Sequence, residues 1–170
     1  MKTAYIIRHA KSSWDNYDIT DFERPLNERG KRDAPVMAKR ILDRNCTIDL
    51  FVSSSAVRAK ETCKFFSAAY GVENKKIIFL DRLYHASPET IEKVIGSVDN
   101  KHNNVAVFTH NPGVTEYVNT LIPDLTIDNM PTCGVFCIEA DIEAWDKFAG
   151  ANKRFVFFDY PRLNQSNPLA

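Results

Sequence analysis

Two histidines and two arginines stand out by where they fall. Arg8-His9 ends the apolar run "TAYII", Arg58 follows "DLFVSSSAV", and His110 ends "NVAVFT". Each group sits where a buried strand gives way to a turn or helix. An imidazole is a nucleophile and proton carrier near neutral pH. A guanidinium offers paired N–H donors that match two oxygens of a phosphoryl group. A nitrogen nucleophile among fixed positive charges is what phosphoryl transfer requires. Taken alone, a histidine at a strand end is more often a structural hydrogen-bonding residue. An arginine near a helix start is usually a surface residue. Those plain readings weaken together because all four occupy equivalent positions in a repeating pattern.

That pattern is strand–helix alternation. "TAYII", "DLFVSS", "KKIIFL" and "NVAVFTH" read as strands. "NERGKRDAPVMAKRILDR", "AVRAKETCKFFSAAYG", "SPETIEKVIGSV" and "NPGVTEYVNTLI" read as helices. Pro35 is expected near the first well-formed turn of its helix. Gly71 suits a C-terminal cap, and Ser87 with Pro88 suits a helix start. "GVFCIEA" and "KRFVFFDY" add strands at an edge, their aromatics packing rather than stacking on a ligand. The alternation predicts an α/β fold with a mostly parallel sheet covered on both faces. Parallel strands share a carboxyl edge, where ligands bind. Arg8, His9, Arg58 and His110 are therefore expected to meet in one crevice.

Three segments, in order, resemble the histidine phosphatase superfamily, whose signature is Arg-His-Gly. They are "RHA" at Arg8, Ser54 with Arg58-Ala59 and Thr62, and "THNPGV" from Thr109. "RPLNERG", Arg24 to Gly30, is similar to a segment of the SixA-like phosphohistidine phosphatases, a short group without a large cap insertion. The resemblance runs from about residue 3 to about residue 120. It implies a three-layer, phosphoglycerate mutase-like sandwich. It also implies that His9 attacks phosphorus to form a phosphohistidine intermediate, while Arg8, Arg58 and His110 stabilise the transferring group. No cofactor and no metal are implied, since the arginines supply the electrostatics. His9 should be neutral, its second nitrogen held by a backbone carbonyl and its pKa lowered by nearby cations. Ala10 departs from the signature glycine but is still small where backbone must approach phosphate.

Other positions carry two readings. Arg24 either reaches the phosphate, as in the SixA-like group, or makes a loop salt bridge. Ser12, like Ser13, either donates to phosphate oxygens or braces a turn. Asn111 is expected to cap its helix, help orient His110 and bind substrate. Thr62 and Glu61 are expected behind the site or on the helix surface. Many superfamily members protonate the leaving oxygen with a carboxylate, and no clear match exists here. Glu89 and His85 in "YHASPET" are the candidates; Glu89 equally suits a helix N-terminus, and His85 either touches substrate or packs. Asp15, Asp18 and Asp21 read as solvated loop residues, His102 as a solvated loop histidine, and no Asp, Glu or His cluster has metal spacing.

The weak donor bears on substrate. An alkyl phosphate has a poor leaving group and needs a general acid. A phosphohistidine can protonate its distal nitrogen and leave as neutral imidazole. A phosphorylated protein, such as a phosphotransfer domain, is therefore the expected substrate. The alternatives are a small phosphate ester, such as a sugar phosphate, on the same site, and a non-catalytic phosphate-binding module. The chain has 170 residues with 22 basic and 22 acidic side chains, so it lacks the basic excess of a general nucleic-acid binder. No stretch of about 18 apolar residues is present to span a membrane, and the apolar run at the N-terminus is too short for a secretory leader. Cys46, Cys63, Cys133 and Cys137 lack zinc spacing and read as free thiols, with Cys133 and Cys137 on one strand face; a cytoplasmic location follows. A single domain over 1–163 with a loose tail at 164–170 is expected.

Overall fold

Side chains alternate across a strand, so a run apolar at every position buries both faces. The first strand does this. Ala4 and Ile6 join one core layer, and Tyr5 and Ile7 join the other. A central strand covered by helices on both sides results. The computed structural model describes residues 1–163; the expected tail lies outside the described residues.

The sheet has strands β1 (Lys2–Arg8), β2 (Leu50–Ser54), β3 (Ile78–Leu80), β4 (Asn104–Thr109), β5 (Val135–Ala140) and β6 (Lys153–Asp159). Their spatial order is β3-β2-β4-β1-β5-β6. The first four pair in parallel, β5 runs antiparallel to β1, and β6 runs antiparallel to β5. Helices α1 (Glu28–Asp43) and α2 (Val57–Ala69) bury Met37, Ile41, Cys63 and Phe66 against one face. Helices α3 (Pro88–Gly96) and α4 (Gly113–Val118) bury Ile91, Ile95, Val114 and Tyr117 against the other. The fold is thus the expected three-layer α/β sandwich. No helix among the described residues is long and apolar enough to cross a membrane.

Several local expectations are corrected. Pro35 lies well inside α1, not near its first turn, and is tolerated because it faces solvent, where water can meet the carbonyl left without a donor. β3 is only three residues long, because Asn74–Lys76 forms a 3-10 turn that takes the Ile77 N–H. α4 stops after six residues, where the Asn119 side chain bonds both the N–H and the carbonyl of Ile127 at 2.9 and 3.0 Å. Cys133 is in a turn at φ 61°, ahead of β5, although it shares a core layer with Cys137. His102 is half-buried, and its carbonyl accepts from Lys2 and from the Trp145 indole. Ser87 caps α3 as expected, accepting from Thr90 N–H, and Gly71 follows α2 at φ 67°.

Two close approaches fix the site loops. A Cβ on Gly30 would lie 2.2 Å from the Lys11 carbonyl oxygen, and one on Gly113 would lie 1.9 Å from the Ala86 carbonyl oxygen. The neighbour is backbone in both cases, so it cannot swing aside. Gly30→Ala should destabilise the protein by about 1–3 kcal/mol through forced backbone shifts. Gly150 has nothing within 4 Å of an added Cβ, so Gly150→Ala should be near neutral. Urea unfolding of the two variants checks this.

Candidate active site

β1 and β4 lie side by side, and their carboxyl ends carry Arg8-His9 and His110. β2 lies on the other side of β4, and its end leads through Ser54 into the first turn of α2, which carries Arg58. The three strand ends thus bring these residues together. The His9 backbone is fixed from two sides. Its N–H donates to Thr109 at 3.2 Å, and its carbonyl accepts from Cys133 N–H at 3.1 Å.

The imidazole of His9 has a defined tautomer. Nδ1 is 2.7 Å from the Ala10 carbonyl, which can only accept, so Nδ1 carries the proton. Arg58 Nε donates to Nε2 at 3.2 Å, so Nε2 keeps its lone pair. The sequence expectation of a backbone acceptor is met. Ala10 is held in turn, its N–H donating to the Thr62 hydroxyl, which donates to the Arg58 carbonyl. Glu61 accepts from Leu26 N–H and ties α2 to the 24–30 segment.

His110 packs 5.0 Å from the His9 ring and meets the Ser54 hydroxyl through Nε2 at 2.8 Å. Its Nδ1 is buried with no partner among the described residues. Arg8 donates from Nη1 to the Met130 carbonyl at 2.6 Å, and its Nε is also buried without a partner. Asn111 bonds Asn129, the Met130 carbonyl and Thr115. It ties α4 to the 129–130 loop rather than capping the helix backbone.

Asp21 is the residue that sequence reasoning missed. Far from being a solvated loop acid, it joins most of the site's cations. Arg24 donates to Oδ1 through Nε and Nη2 at 2.9 and 2.8 Å. Arg58 donates to Oδ2 at 2.9 Å and also reaches the Asp21 backbone carbonyl. The Tyr84 hydroxyl donates to Oδ2 at 2.6 Å, and His85 Nε2 lies 3.4 Å away. The one available signal was its position three residues before Arg24, the spacing of a helical ion pair. Arg24 makes the salt bridge of one of its readings. It pairs with Asp21, donates to the Ser12 hydroxyl at 2.9 Å, and its charge bears on His9. Ser12 is buried and bridges to Leu26, whereas Ser13 braces a turn with Asp15.

The proton-donor candidates diverge. His85 is exposed at φ 49° and its ring lies 6.0 Å from His110. Glu89 sits on the exposed first turn of α3, where bonding to Ser87 holds its carboxyl below the usual range. That is the helix-start reading of Glu89, not a position against His9. Among the described residues no group of three or more His, Cys, Asp or Glu is placed to hold a metal.

Electrostatics follow from the packing. Burial, reinforced by Arg58, Arg8 and Arg24, pushes the His9 imidazole down to about 3, although its bond to Ala10 opposes this. Burial likewise lowers His110, followed by His9, Arg58 and His85. Both rings are neutral at pH 7. Burial and then Arg58 lower Arg8. Burial alone would raise Asp21, but Tyr84, Arg24 and Arg58 more than reverse it and hold the carboxylate ionised.

A histidine–arginine cluster at the carboxyl edge of a parallel sheet defines an α/β phosphoryl-transfer class of protein. Within that class, the chain belongs to the histidine phosphatase superfamily (branch 1), whose profile matches residues 4–87, and it is a phosphatase. A structure described as a phosphohistidine phosphatase SixA, from Agrobacterium tumefaciens, superposes with a TM-score of 0.80 at 27% identity, covering 94% of this chain and 98% of that one. An uncharacterized protein of Mycobacterium leprae is 26% identical over 167 residues, covering 92% of this chain and all of the relative. A mycobacterial glucosyl-3-phosphoglycerate phosphatase shares the fold alone, with a TM-score of 0.64 at 12% identity over 94% of this chain and 98% of its own.

Two outcomes follow. Folded His9 and His110 resist protonation, so the unfolded chain binds more protons below the ordinary histidine value of about 6.5. Their contribution is constant above that value and is lost as pH falls towards about 3. Urea unfolding should give a lower stability at pH 5 than at pH 7, with a smaller drop in His110→Asn. Asp21→Asn should lower kcat/KM by about 100-fold, the scale of a misplaced contact group, through loss of Arg58 and Arg24 alignment; steady-state kinetics on a phosphorylated substrate checks it.

Proposed function

We propose that this phosphatase acts on protein phosphohistidine, with His9 as nucleophile. The observation that carries the reading is the His9 ring itself, which is neutral, has Nδ1 bonded to a carbonyl, and holds its lone pair on Nε2, where Arg58 Nε donates to it until a phosphoryl oxygen takes that donor. The Nε2 lone pair attacks phosphorus, and the bond from phosphorus to the substrate imidazole breaks. That imidazole, protonated on its distal nitrogen, leaves neutral. Water then attacks the phosphorus on His9, the P–N bond breaks, and inorganic phosphate departs with His9 restored. Arg8, Arg58 and a neutral N–H of His110 meet the charge on the phosphoryl oxygens.

The acids of the site favour this substrate. Asp21 is held ionised by Tyr84, Arg24 and Arg58, and it is no proton donor. Glu89 is committed to its helix start. A substrate whose leaving group needs little acid suits such a site best. Residues 1–163 form the phosphatase unit in this reading. The reaction is metal-independent, since fixed guanidiniums take the part of a Lewis acid. The four free thiols favour a reducing compartment such as the cytoplasm.

A small-metabolite reading has one point in its favour. His85 is exposed, and its Nε2 lies 3.4 Å from Asp21 Oδ2, at the edge of the cluster where a leaving group would pass. The test compares phosphate release from a phosphohistidine-bearing phosphotransfer domain and from a sugar phosphate, with a chelator present throughout. Release should be much faster from the phosphohistidine, unaffected by the chelator, and lost in His9→Ala while phosphate still binds. Faster release from the sugar phosphate would move the assignment to the metabolite reading, and unchanged release in His9→Ala would remove His9 as nucleophile.

A further inference from the structure

Arg8 borders a second concavity besides the His9 cluster. This cavity, of about 390 Å³, lies between the start of α1, the 129–132 loop and residues 160–162. Its charged lining is Arg8, Lys11, Arg29, Arg162 and a single carboxylate, Asp33. Asp33 is already engaged, 3.7 Å from Arg29 Nε and 3.4 Å from Arg32 Nη2. Lys11 has no ion-pair or hydrogen-bond partner for its ammonium among the described residues. Arg29 Nη2 is bonded to the Thr132 hydroxyl at 3.2 Å, which joins α1 to the 129–132 loop. Arg8 and Lys11 thus face one small space beside Arg29, whose carboxylate partner Asp33 is shared with Arg32, in a chain whose acidic and basic residues balance at 22 each. Arg8 and Lys11 have no carboxylate of their own among the described residues, and like charges gathered in one small space attract an anion.

We propose that this pocket binds a second anionic group, a carboxylate or a phosphate, carried by the same substrate whose phosphoryl group lies at His9. The proposal rests on the reading of the His9 cluster as the phosphoryl site. Arg8 spans the two places. Its charge bears on His9, and its side chain lines the pocket. A substrate with two anions therefore meets a continuous row of cations. In a protein substrate the second anion is an acidic side chain beside the phosphohistidine; in a small ester it is a further phosphate. Lys11 and Arg29 then set specificity without touching the reacting atoms.

Matched substrates test this on the full chain. One pair is a phosphohistidine peptide with glutamate, or with alanine, beside the phosphohistidine. The other is a sugar bisphosphate and its monophosphate. For one pair, wild type should show a KM about tenfold lower for the more acidic member, the scale of one charge-assisted hydrogen bond. Lys11→Met should abolish that advantage and leave kcat and the less acidic member unaffected. Arg29→Met, prepared separately, guards against a local folding defect in either variant. The responding pair identifies the source of the anion. Equal KM within both pairs in wild type, or an advantage that both variants keep, overturns the proposal. Should wild type turn over none of these substrates, the reading of the His9 site fails instead. Calorimetric titration with inorganic phosphate then decides the pocket alone: two sites in wild type and one in Lys11→Met uphold it, and one site in both overturns it.

Discussion

The site is built around a repulsion. Arg8, Arg24 and Arg58 converge on two imidazoles, and their charges bear on His9. Two unit charges about 4 Å apart interact by about 4 kcal/mol even in a moderately polar protein environment. Asp21 offsets part of this by taking Arg24 on one oxygen and Arg58 on the other. The histidines stay neutral chiefly because they are buried, and the neighbouring charges add to this. Catalytic chemistry and local structure therefore share one cause. The arginine field that reinforces burial in keeping His9 unprotonated is also a field that an anion would relieve.

Holding such a cluster requires a rigid frame, and the sheet supplies it. β1 and β4 are buried on both faces, so their ends cannot tilt without disturbing two core layers. The backbone of His9 is pinned to Thr109 and Cys133, and Gly30 lets α1 press directly against the carbonyl of Lys11. The loop carrying Asp21 is anchored through Arg24 to Ser12, and the exposed Trp14 ring lies 3.5 Å from the Arg24 guanidinium carbon. Each support acts on orientation more than on charge, which is what a preorganised phosphoryl site demands.

Much of this was legible in the sequence, for a physical reason. Strand ends in a parallel sheet share one edge, so the order of elements alone brought Arg8, His9, Arg58 and His110 together. The local chemistry of helix starts was equally readable at Ser87 and Pro88. The parts that escaped depend on tertiary partners. Asp21 looks solvated until Arg24, Arg58 and Tyr84 are folded around it. α4 looks longer until Asn119 is seen binding Ile127. Pro35 looked like a marker of a helix start because its tolerance inside α1 depends on facing water. Nothing in the sequence singles out Lys11; it gains meaning once the α1 and 160–162 segments close a pocket beside it.

The thiols carry a consequence of their own. Cys63, Cys133 and Cys137 are buried, Cys46 is half-buried, and burial raises the pKa of all four. Oxidants such as peroxide react with thiolate, and little thiolate is present in this molecule. Phosphatases that attack phosphorus with a cysteine are silenced under oxidative stress. With the proposed nucleophile a ring nitrogen of His9 and three of the four thiols buried, the proposed mechanism avoids that vulnerability, so output would persist through conditions that turn thiol-dependent phosphatases off.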